Sequence, residues 1–498
     1  MNVNPITRLD YPDPDVIRVE DTYYMASTTM HFMPGCEILQ SFDLVHWEHV
    51  TYVYETLDHT DAQQLKSGQN IYGQGMWAAS LRYHEGRFYI CFVANDTRKT
   101  YLYTSEKIDG PWKKQLIEGF YHDASLLFDE DGRNYIVYGN DEIWITELNE
   151  DLTAPKKDGL HRLLVSDHKN PELGYEGSHI QKINGYYYIF LVHSLRDRWM
   201  RTEACFYSDS LEGEFTGGDV LCDDRGYCGQ GVAQGGIVDT PDGKWYAMLF
   251  QDSGAVGRIP ILLPVTWKDH FPVFGQNGHV PEEIEVHSTR PGYIYQPLVG
   301  SDDFCNGLLP RWQFNHDPDP RYYHLDALQG TYTITTREIC TELTQAVNTL
   351  TQRMSYPSCA AEVTVDASAL KEGDVAGLCA LQGCYAAVGI TKHHGKYEVL
   401  MLDKKEDGIL DMTEGTVVES HQMDFRLEAD FCNMKDEARC YYRVNKGDWL
   451  PIGTVHKLYF KLDHFTGCRF GLFCYAAEKT GGSACFRDFK YYDVDEIS

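Results

Sequence analysis

The first half of the chain alternates apolar and polar residues in five similar stretches. Each stretch begins with an apolar residue, continues through a short polar segment that usually ends in Gly, and finishes on aromatic and apolar residues. The stretches begin at Ile17, Leu81, Leu127, Ile180 and Ile237. Asn-Gly and Asp-Gly steps supply the positive φ angles of tight hairpins, and the Tyr, Phe, Ile and Val content suits half-buried strands. Each stretch is therefore predicted to form a β-hairpin.

The spacing of these hairpins predicts the architecture of this half of the chain. Successive stretches begin 64, 46, 53 and 57 residues apart, which is about the length of a four-stranded sheet with its loops. Repeats of this period that contain only hairpins are typical of a β-propeller. Residues 1–295 are therefore predicted to form a five-bladed β-propeller.

Carboxylates recur at one position relative to these hairpins. Four residues before the five stretches stand Asp13, Trp77, Asp123, Glu176 and Ala233. In equivalent blades these positions lie at the channel-facing edge of each innermost strand, so we expect the three carboxylates to converge. Neighbouring carboxylates repel and resist full ionisation, a property that acid–base catalysis uses. An Asp beside a hairpin is often only a turn residue, but three carboxylates at one register favour a catalytic site.

The pattern changes after residues 289–304, where Pro and Gly interrupt the chain. Short apolar segments separated by Gly or charged turns follow, without an amphipathic helical pattern of useful length. Examples are Ala360–Val365, Tyr385–Ile390, Tyr397–Leu402 and Leu458–Leu462. Residues 300–498 are therefore predicted to form a second domain, a β-sandwich of jelly-roll type, which makes the whole chain all-β.

Composition and charge narrow the range of partners. The chain has 498 residues, of which 43% are hydrophobic and 24% charged, as in soluble globular proteins of two or three domains. Its formal net charge of −30 argues against nucleic acid and anionic membrane surfaces, which call for Lys and Arg. The 13% aromatic content suits β-sheet cores and also the ring faces on which sugars stack. A small neutral ligand is expected.

The amino terminus and the cysteines predict a compartment. No apolar segment of the length that a signal peptide needs begins the sequence, and nowhere do 18 apolar residues run together. The 15 cysteines, an odd number without a CxxC pair, are typical of reduced, mostly buried thiols. We expect a cytoplasmic protein.

The segments around the three carboxylates form a recognisable set of motifs: Tyr11–Arg18, His122–Leu126 and Glu176–His179. This set resembles the three signature sites of glycoside hydrolase family 43. The similarity continues through Trp77–Tyr83, Asp239–Tyr246, Gly257-Arg258 and Leu263–Trp267. In the second domain, Asn348–Arg353 and Gly373–Leu378 resemble the concanavalin-like carboxy-terminal domain that accompanies the β-xylosidases of this family. The resemblance covers nearly the whole chain.

The resemblance implies a division of labour among the carboxylates. By it, Asp13 is the general base that activates water, Glu176 is the general acid that protonates the leaving oxygen, and Asp123 positions the acid and tunes its pKa. Such an enzyme inverts the anomeric centre, and the carboxyls of base and acid lie about 6.5–9.5 Å apart to admit a water. Since Glu176 must carry a proton at working pH, we expect the nearby charge of Asp123 to raise its pKa.

The resemblance also implies residues that bind the sugar. Trp77 would offer an aromatic face to a pyranose, and Arg258 would hydrogen-bond sugar hydroxyls. Met30, His31 and Phe32 lie in a loop of the first blade, where they either shape the pocket or pack as core residues.

Two features bear on metal binding. Many members of the family carry a channel-facing His at the start of the fifth blade that helps to hold a metal or a water cluster. This chain has Gln234 there, which argues against a channel calcium, and we count Gln234 with the substrate-binding residues. Asp303 and Asp488 bracket the second domain and could supply carboxylates to a structural calcium, although solvated turns explain them as well. No cofactor is expected to be required for catalysis.

These observations predict an inverting exo-glycosidase that releases a pentose, most of all β-D-xylose, from the non-reducing end of short xylo-oligosaccharides. An α-L-arabinofuranosidase would use the same carboxylates in a differently shaped pocket. A retaining invertase-type enzyme has the same architecture, but its Asn-Asp-Pro-Asn-Gly, Arg-Asp-Pro and Glu-Cys motifs are missing. A non-catalytic sugar-binding propeller would require a lost carboxylate, and none is lost. Besides the oligosaccharide, the one partner considered is a further copy of the chain in a homo-oligomer.

Overall fold

The computed structural model describes residues 2–493, and within them the regular secondary structure consists almost entirely of antiparallel β-strands. The helices in this range are four 3₁₀ turns of three residues each: Lys66–Gly68, Gly254–Val256, Leu343–Gln345 and Cys432–Met434. Among these residues no helix has the length and apolar character needed to cross a membrane. The outer ends of the two predicted domains, residue 1 and residues 494–498, lie outside the described range.

Five four-stranded antiparallel sheets follow one another along the chain and form the blades of a propeller. The strands of this half are β1 (Asn2–Val3) before the first blade; β2 (Asp15–Val19), β3 (Thr22–Ser27), the loop strand β4 (Phe32–Met33), β5 (Gly35–Ser41) and β6 (Glu48–Tyr54) in blade 1; β7 (Met76–His84), β8 (Arg87–Ala94), β9 (Lys99–Ser105) and β10 (Lys113–Ile117) in blade 2; β11 (Ser125–Phe128), β12 (Asn134–Asn140), β13 (Glu142–Leu148) and β14 (His161–Ser166) in blade 3; β15 (Glu176–Ile183), β16 (Tyr186–Ser194), β17 (Arg201–Ser208) and β18 (Thr216–Leu221) in blade 4; and β19 (Val232–Asp239), β20 (Trp245–Asp252), β21 (Arg258–Lys268) and β22 (Phe271–Phe274) in blade 5.

The first strands of the blades line the propeller axis. Strands β2, β7, β11, β15 and β19 contact one another in a closed ring, and β19 meets β2 again. Where the ring closes, Arg18 Nη2 lies 2.5 Å from Asp239 Oδ2. The five predicted hairpins are the first two strands of each blade. In blade 4, Asn184 and Gly185 turn the chain at φ 51° and 85°, the positive angles expected of an Asn-Gly step. The predicted five-bladed propeller is confirmed.

The second half of the chain forms two packed sheets. Its strands are β23 (Glu283–Ile284), which pairs with β1, then β24 (Gln313–Asn315), β25 (Tyr323–Asp326), β26 (Thr331–Thr335), β27 (Leu350–Arg353), β28 (Ser358–Asp366), β29 (Asp374–Leu381), β30 (Ala386–His393), β31 (Lys396–Lys404), β32 (Leu410–Met412), β33 (Thr416–Val418), β34 (Gln422–Asp430), β35 (Glu437–Arg443), β36 (Leu450–Lys457), β37 (Arg469–Ala476) and β38 (Ser483–Asp493). One sheet has the order β25-β26-β38-β28-β34-β35-β36. The other runs β32-β31-β30-β29-β37-β27-β24-β4, with β33 paired to β31. Leu378, Phe425 and Phe470 are among the fully buried side chains between them. The predicted β-sandwich is confirmed.

The two halves of the molecule are joined through strand β4. This strand comes from a blade 1 loop and pairs with β24, so that Phe32 lies opposite Asn315 and Met33 opposite Phe314. The guanidinium of Arg469 lies 3.5 Å from the centre of the Phe32 ring. The sandwich is therefore docked on the propeller by shared sheet hydrogen bonds as well as by side-chain packing.

Candidate active site

The three predicted carboxylates meet at one end of the propeller axis. A narrow cavity of about 20 Å³ lies there, and its walls come from all five blades and from the sandwich. The lining residues are Asp13, Met30, Trp77, Ala78, Asp123, Glu176, Arg201, Gln234, Arg258 and Phe465. A wider cavity of about 520 Å³ shares Trp77, Glu176, Arg201 and Phe465 with the narrow one. The site is therefore a narrow inner pocket that adjoins a larger outer chamber.

The backbone at the start of each innermost strand aims these side chains. In blades 1 and 3 the carboxylate residue itself has a positive φ, 51° at Asp13 and 47° at Asp123. In blades 4 and 5 a β-bulge follows instead, and the positive φ falls on Gly177 and Gln234. A bulge re-aims a side chain locally and is common next to active sites. Five equivalent strands thus present their ends to one point.

Asp13 lies in a buried ion pair. Its Oδ1 accepts a hydrogen bond from Arg258 Nη1 at 3.0 Å, and its Oδ2 accepts one from Thr28 Oγ1 at 2.6 Å. The side chains of Arg258 and Asp13 are 2% and 8% exposed. Arg258 reaches the cavity as predicted, but its charge faces Asp13, and its Nη2 donates to the Phe465 carbonyl at 3.4 Å. Its bond to sugar hydroxyls stays a prediction.

Glu176, Asp123 and His122 form a second charged group. Glu176 Oε2 accepts a hydrogen bond from Asn140 Nδ2 at 2.6 Å and lies 3.3 Å from His122 Nε2. Asp123 Oδ2 accepts one from the Gly177 N–H at 3.0 Å and lies 3.7 Å from the same imidazole nitrogen. The backbone of the strand that carries Glu176 thus holds Asp123 beside Glu176, and the positioning role of Asp123 stays a prediction.

The electrostatics of this group differ from the expectation for Glu176. Burial raises the pKa of Asp123 to about 6, with the charge of Glu176 adding to the shift. Burial acts in the same direction on Glu176, but His122 and Arg201 outweigh it and hold the pKa of Glu176 below its usual value. The expectation of a raised pKa for Glu176 is therefore wrong, because His122 and Arg201 face Glu176 and outweigh its burial.

Trp77 and Gln234 lie where the sequence predicts. Trp77 borders both cavities, its ring centre is 5.5 Å from that of Phe465, and its buried indole N–H has no protein partner among the described residues. Gln234 lines the inner cavity, and its backbone N–H donates to Glu203 Oε2 at 2.7 Å. Both side chains can therefore contact a ligand in the inner pocket.

The blade 1 loop divides between the pocket and the domain interface. Met30 lines the inner cavity. His31 and Phe32 do not, because the chain turns there into β4 and buries both side chains against the sandwich. His31 packs against Tyr72 and His316, with ring centres 4.7 Å and 4.9 Å away. The interpretation of His31 and Phe32 as packing residues fits this placement.

Three residues of the site were not singled out from the sequence. His122 stood inside a quoted motif, but nothing in the motif gave it a role. Arg201 lines both cavities and donates from Nε to Asp252 Oδ2 at 2.8 Å. Phe465 lines both cavities from the sandwich. No sequence signal links Phe465 to the propeller, since only tertiary docking brings it there.

The predicted calcium residues lie at a distance from this site, in the sandwich. Asp303 and Asp488 are both exposed, and the carboxylate of Asp303 accepts the Cys305 N–H at 2.9 Å. The neighbouring Asp302 uses both of its carboxylate oxygens to accept hydrogen bonds from the Phe304 N–H and the Trp312 indole N–H. Two carboxylates alone do not make the six to eight oxygen ligands of calcium. A calcium site there stays a prediction.

One other group of side chains in residues 2–493 could be considered for a metal. The ligand atoms of His122, Asp123 and Glu176 lie within 4.8 Å of one another. The oxygens nearest the imidazole already accept hydrogen bonds from Asn140 and Gly177. We therefore interpret the group as a hydrogen-bonded charge cluster and assign no metal to it.

Known proteins are similar to nearly the whole length of this chain. The profile of "Glycosyl hydrolases family 43" matches residues 3–272, and that of "Beta xylosidase C-terminal Concanavalin A-like domain" matches residues 301–492. A β-xylosidase of Formosa agariphila is 26% identical over 99% of this chain and 89% of its own length.

Two solved structures show the same architecture. A bifunctional GH43-CE protein of Bacteroides eggerthii superposes with a TM-score of 0.92 at 42% identity over 99% of this chain, which spans 64% of that protein. A GH43 glycoside hydrolase whose engineered form displays endo-xylanase and exo-arabinofuranosidase activity superposes with a TM-score of 0.86 at 27% identity over 99% of both chains.

Proposed function

Since the chain belongs to glycosyl hydrolases family 43, we propose that it is an inverting exo-glycosidase that releases β-D-xylose from the non-reducing end of short xylo-oligosaccharides. The observation that carries the proposal is the convergence of Asp13, Asp123 and Glu176 around one narrow pocket. A narrow inner pocket beside a wider chamber suits a chain terminus better than the middle of a polymer. The outer chamber then receives the rest of the oligosaccharide.

The proposed reaction uses the two sides of the pocket separately. Asp13 takes a proton from water as its oxygen attacks the anomeric carbon. The bond to the leaving oxygen breaks on the opposite side, where Glu176 supplies a proton. The hydrogen bonds of Asp13 go to Thr28 and Arg258, and those of Glu176 go to Asn140 and His122. The two carboxylates thus have separate hydrogen-bond partners, and the proposal of inversion rests on the family to which the chain belongs.

The outer chamber supports a short chain rather than a polymer as substrate. Trp199 from the blade 4 loop lines this chamber, and so do Phe460, Lys461 and Leu462 of the sandwich. Aromatic rings from both domains offer stacking surfaces for one or two further sugar units. Because residues of the sandwich line this chamber beside those of the propeller, we expect it to favour short chains over a long polymer.

An α-L-arabinofuranosidase is the second candidate. The same three carboxylates serve that reaction, and a structurally similar family member is described with exo-arabinofuranosidase activity. The name of the Formosa agariphila relative favours xylose. The two activities differ in the ring form of the released sugar, which the inner pocket must fit.

One panel of substrates tests both candidates. The purified protein is incubated with the nitrophenyl derivatives of β-D-xylopyranoside, α-L-arabinofuranoside and β-D-galactopyranoside, and with xylobiose. Release from the xyloside and xylobiose in excess is expected, and early proton NMR should show α-xylose as the first product. Faster release from the arabinofuranoside would select the second candidate. Turnover of neither pentoside, or β-xylose as the first product, would overturn the proposal.

A further inference from the structure

Within residues 2–493, His122 is the one imidazole that contacts the proposed catalytic carboxylates. It lies between β10 and β11, beside Asp123 in sequence, and its Nε2 is 3.3 Å from Glu176 Oε2 and 3.7 Å from Asp123 Oδ2. Its side chain is 21% exposed, so it can exchange protons with solvent while it contacts Glu176. The same nitrogen of His122 thus lies close to the carboxylates of both Asp123 and Glu176.

The surroundings of this imidazole are mostly acidic. Asp123 and Glu176 contact it, and Asp13 across the pocket adds a third negative charge. From blade 4, the Arg201 guanidinium is paired with Asp252 and also faces Glu176. On the blade 2 side the neighbour is the Trp77 ring, 6.1 Å away and uncharged. Together these groups favour the imidazolium form, and they raise the pKa of His122 to about 9 against the effect of burial.

Glu176 by itself does not hold a proton well in this setting. Asn140 donates to its Oε2 at 2.6 Å, and His122 and Arg201 lower its pKa against the effect of burial. A general acid must nevertheless deliver a proton to the leaving oxygen at the working pH. Among residues 2–493, the titratable side chain within hydrogen-bonding distance of Glu176 is His122.

We propose that His122 is a positioning residue that holds the proton of the general acid and passes it to Glu176 during each turnover. This inference rests on the proposed glycosidase function and extends it. The resting pair is an imidazolium and a carboxylate that share one proton along the line from Nε2 to Oε2.

The proton balance of the step closes without a further reactant. The His122 Nε2–H bond breaks and a Glu176 Oε2–H bond forms, which leaves both side chains neutral. The bond from the anomeric carbon to the leaving oxygen then breaks with its electron pair on that oxygen, which takes the proton from Glu176. Water bonds to the anomeric carbon and gives a proton to Asp13. Between turnovers Asp13 returns a proton to solvent and His122 takes one up.

The pH dependence of kcat/KM separates this role from a structural one. In the unmodified protein the one-proton pair persists until His122 loses its proton, so we expect the alkaline limb of the profile on xylobiose to approach pH 9. In a His122→Asn variant the limb belongs to Glu176 alone and should fall below pH 7, a shift of at least two pH units. His84→Asn, at the far mouth of the propeller axis, is the matched control and should leave the limb in place.

Leaving-group dependence provides the second readout. The dinitrophenolate of a dinitrophenyl xyloside departs without a proton, so His122→Asn should retain turnover on this substrate within about threefold. On xylobiose at pH 8 the same variant should lose at least tenfold, because its leaving group needs the proton. Equal losses on both substrates would overturn the proposal. If His122→Asn does not fold, His122→Gln is measured in the same way.

The failures of the two proposals can be told apart. Glycoside turnover by the unmodified protein shows that the proposed function stands. An alkaline limb that does not move in an active His122 variant then overturns the role of His122 alone. Absence of glycoside turnover in the unmodified protein would overturn both.

Discussion

Arg258 Nη1 donates to Asp13 Oδ1 at 3.0 Å, and neither side chain is more than 8% exposed. The proposed base is thus one half of a buried ion pair, which changes what its removal does. Breaking such a pair by removing one partner costs about 3–5 kcal/mol, because the remaining charge stays buried. Asp13→Ala is therefore a stability mutation as well as a catalytic one.

We expect Asp13→Asn to lose about 10²–10⁴-fold in kcat on xylobiose, because a carboxamide cannot take the proton of water. Its melting temperature should fall less than that of Asp13→Ala, since the amide oxygen still accepts from Arg258. The double variant Asp13→Ala/Arg258→Met should recover stability without activity. Calorimetry and initial rates measure these effects. A folded Asp13→Asn variant with normal turnover would contradict the base assignment.

Glu176→Ala should affect substrates according to their leaving groups. A nitrophenolate departs without a proton and a sugar alkoxide does not, so the loss on xylobiose should exceed that on nitrophenyl xyloside by at least tenfold. Glu150→Ala, on an exposed turn of blade 3, is the control for loss of a glutamate. Similar losses on both substrates would show that Glu176 is not the acid.

Much of this site could be predicted because the blades are equivalent. Asp13, Asp123 and Glu176 each stand four residues before a hairpin, and this fixed distance alone predicts that they lie at one end of the axis. The alternation of apolar and polar residues predicts the strands, since successive side chains of a strand point to opposite faces of its sheet. These features depend on local sequence, and the structure shows them as expected.

What could not be predicted depends on contacts between distant segments. Phe465 reaches the pocket only because the sandwich docks on β4, and hairpin periodicity carries no information about domain docking. The role of Arg258 as partner of Asp13 and the lowered pKa of Glu176 depend on charges from different blades. Such effects act over a few ångströms in space and many residues in sequence.

Arg82 links four blades at the propeller axis. We expect its positive charge to take the place of a metal ion there. Its guanidinium donates to Asp15 Oδ2 at 2.8 Å, to Ser125 Oγ at 2.5 Å and to the carbonyls of Leu126 and Ile180. We expect a chelator to leave the melting temperature of the unmodified protein unchanged, because this cation already neutralises Asp15.

Substitution of this arginine should cost much more than substitution of one at the rim. Arg82→Met should destabilise the protein by about 3–5 kcal/mol, as for other broken buried pairs. Arg18→Met, at the more exposed pair with Asp239, should cost about 1 kcal/mol or less. Urea unfolding measures both. A large loss of stability with chelator would show that a metal is held in addition to Arg82.

Acid should weaken the domain interface through its buried histidines. His31, His316 and His464 pack together with Tyr72, and Tyr72 stacks on His464 at 3.9 Å. Burial lowers the pKa of His464 to about 4 and holds those of His31 and His316 well below normal. Nearby Arg469 and Lys404 also disfavour the charged forms, whereas Asp463 opposes this at His464.

The sign of the pH effect follows from these lowered values. Between the unfolded pKa of about 6.5 and the folded pKa, the unfolded chain binds protons that the folded chain does not. Stability should therefore be complete above pH 6.5 and fall toward pH 4, by at most about 1.4 kcal/mol per pH unit for each histidine. Urea midpoints between pH 4 and 8 measure this slope. His464→Gln should reduce the slope, and His287→Gln, an exposed control, should not.

The sandwich should be required for activity, because it completes the pocket. Phe465 lines both cavities, and its ring lies 4.3 Å from the guanidinium carbon of Arg258. A fragment of residues 1–299 would lack this wall and would expose Phe32 and Met33, whose strand pairs with the sandwich. We expect the fragment to aggregate or to be inactive. In the full chain, Phe465→Ala should fold and raise KM for xylobiose several-fold. Size-exclusion chromatography and initial rates check both, and a monomeric fragment that cleaves xylobiose at the full-length rate would show that the propeller forms the site alone.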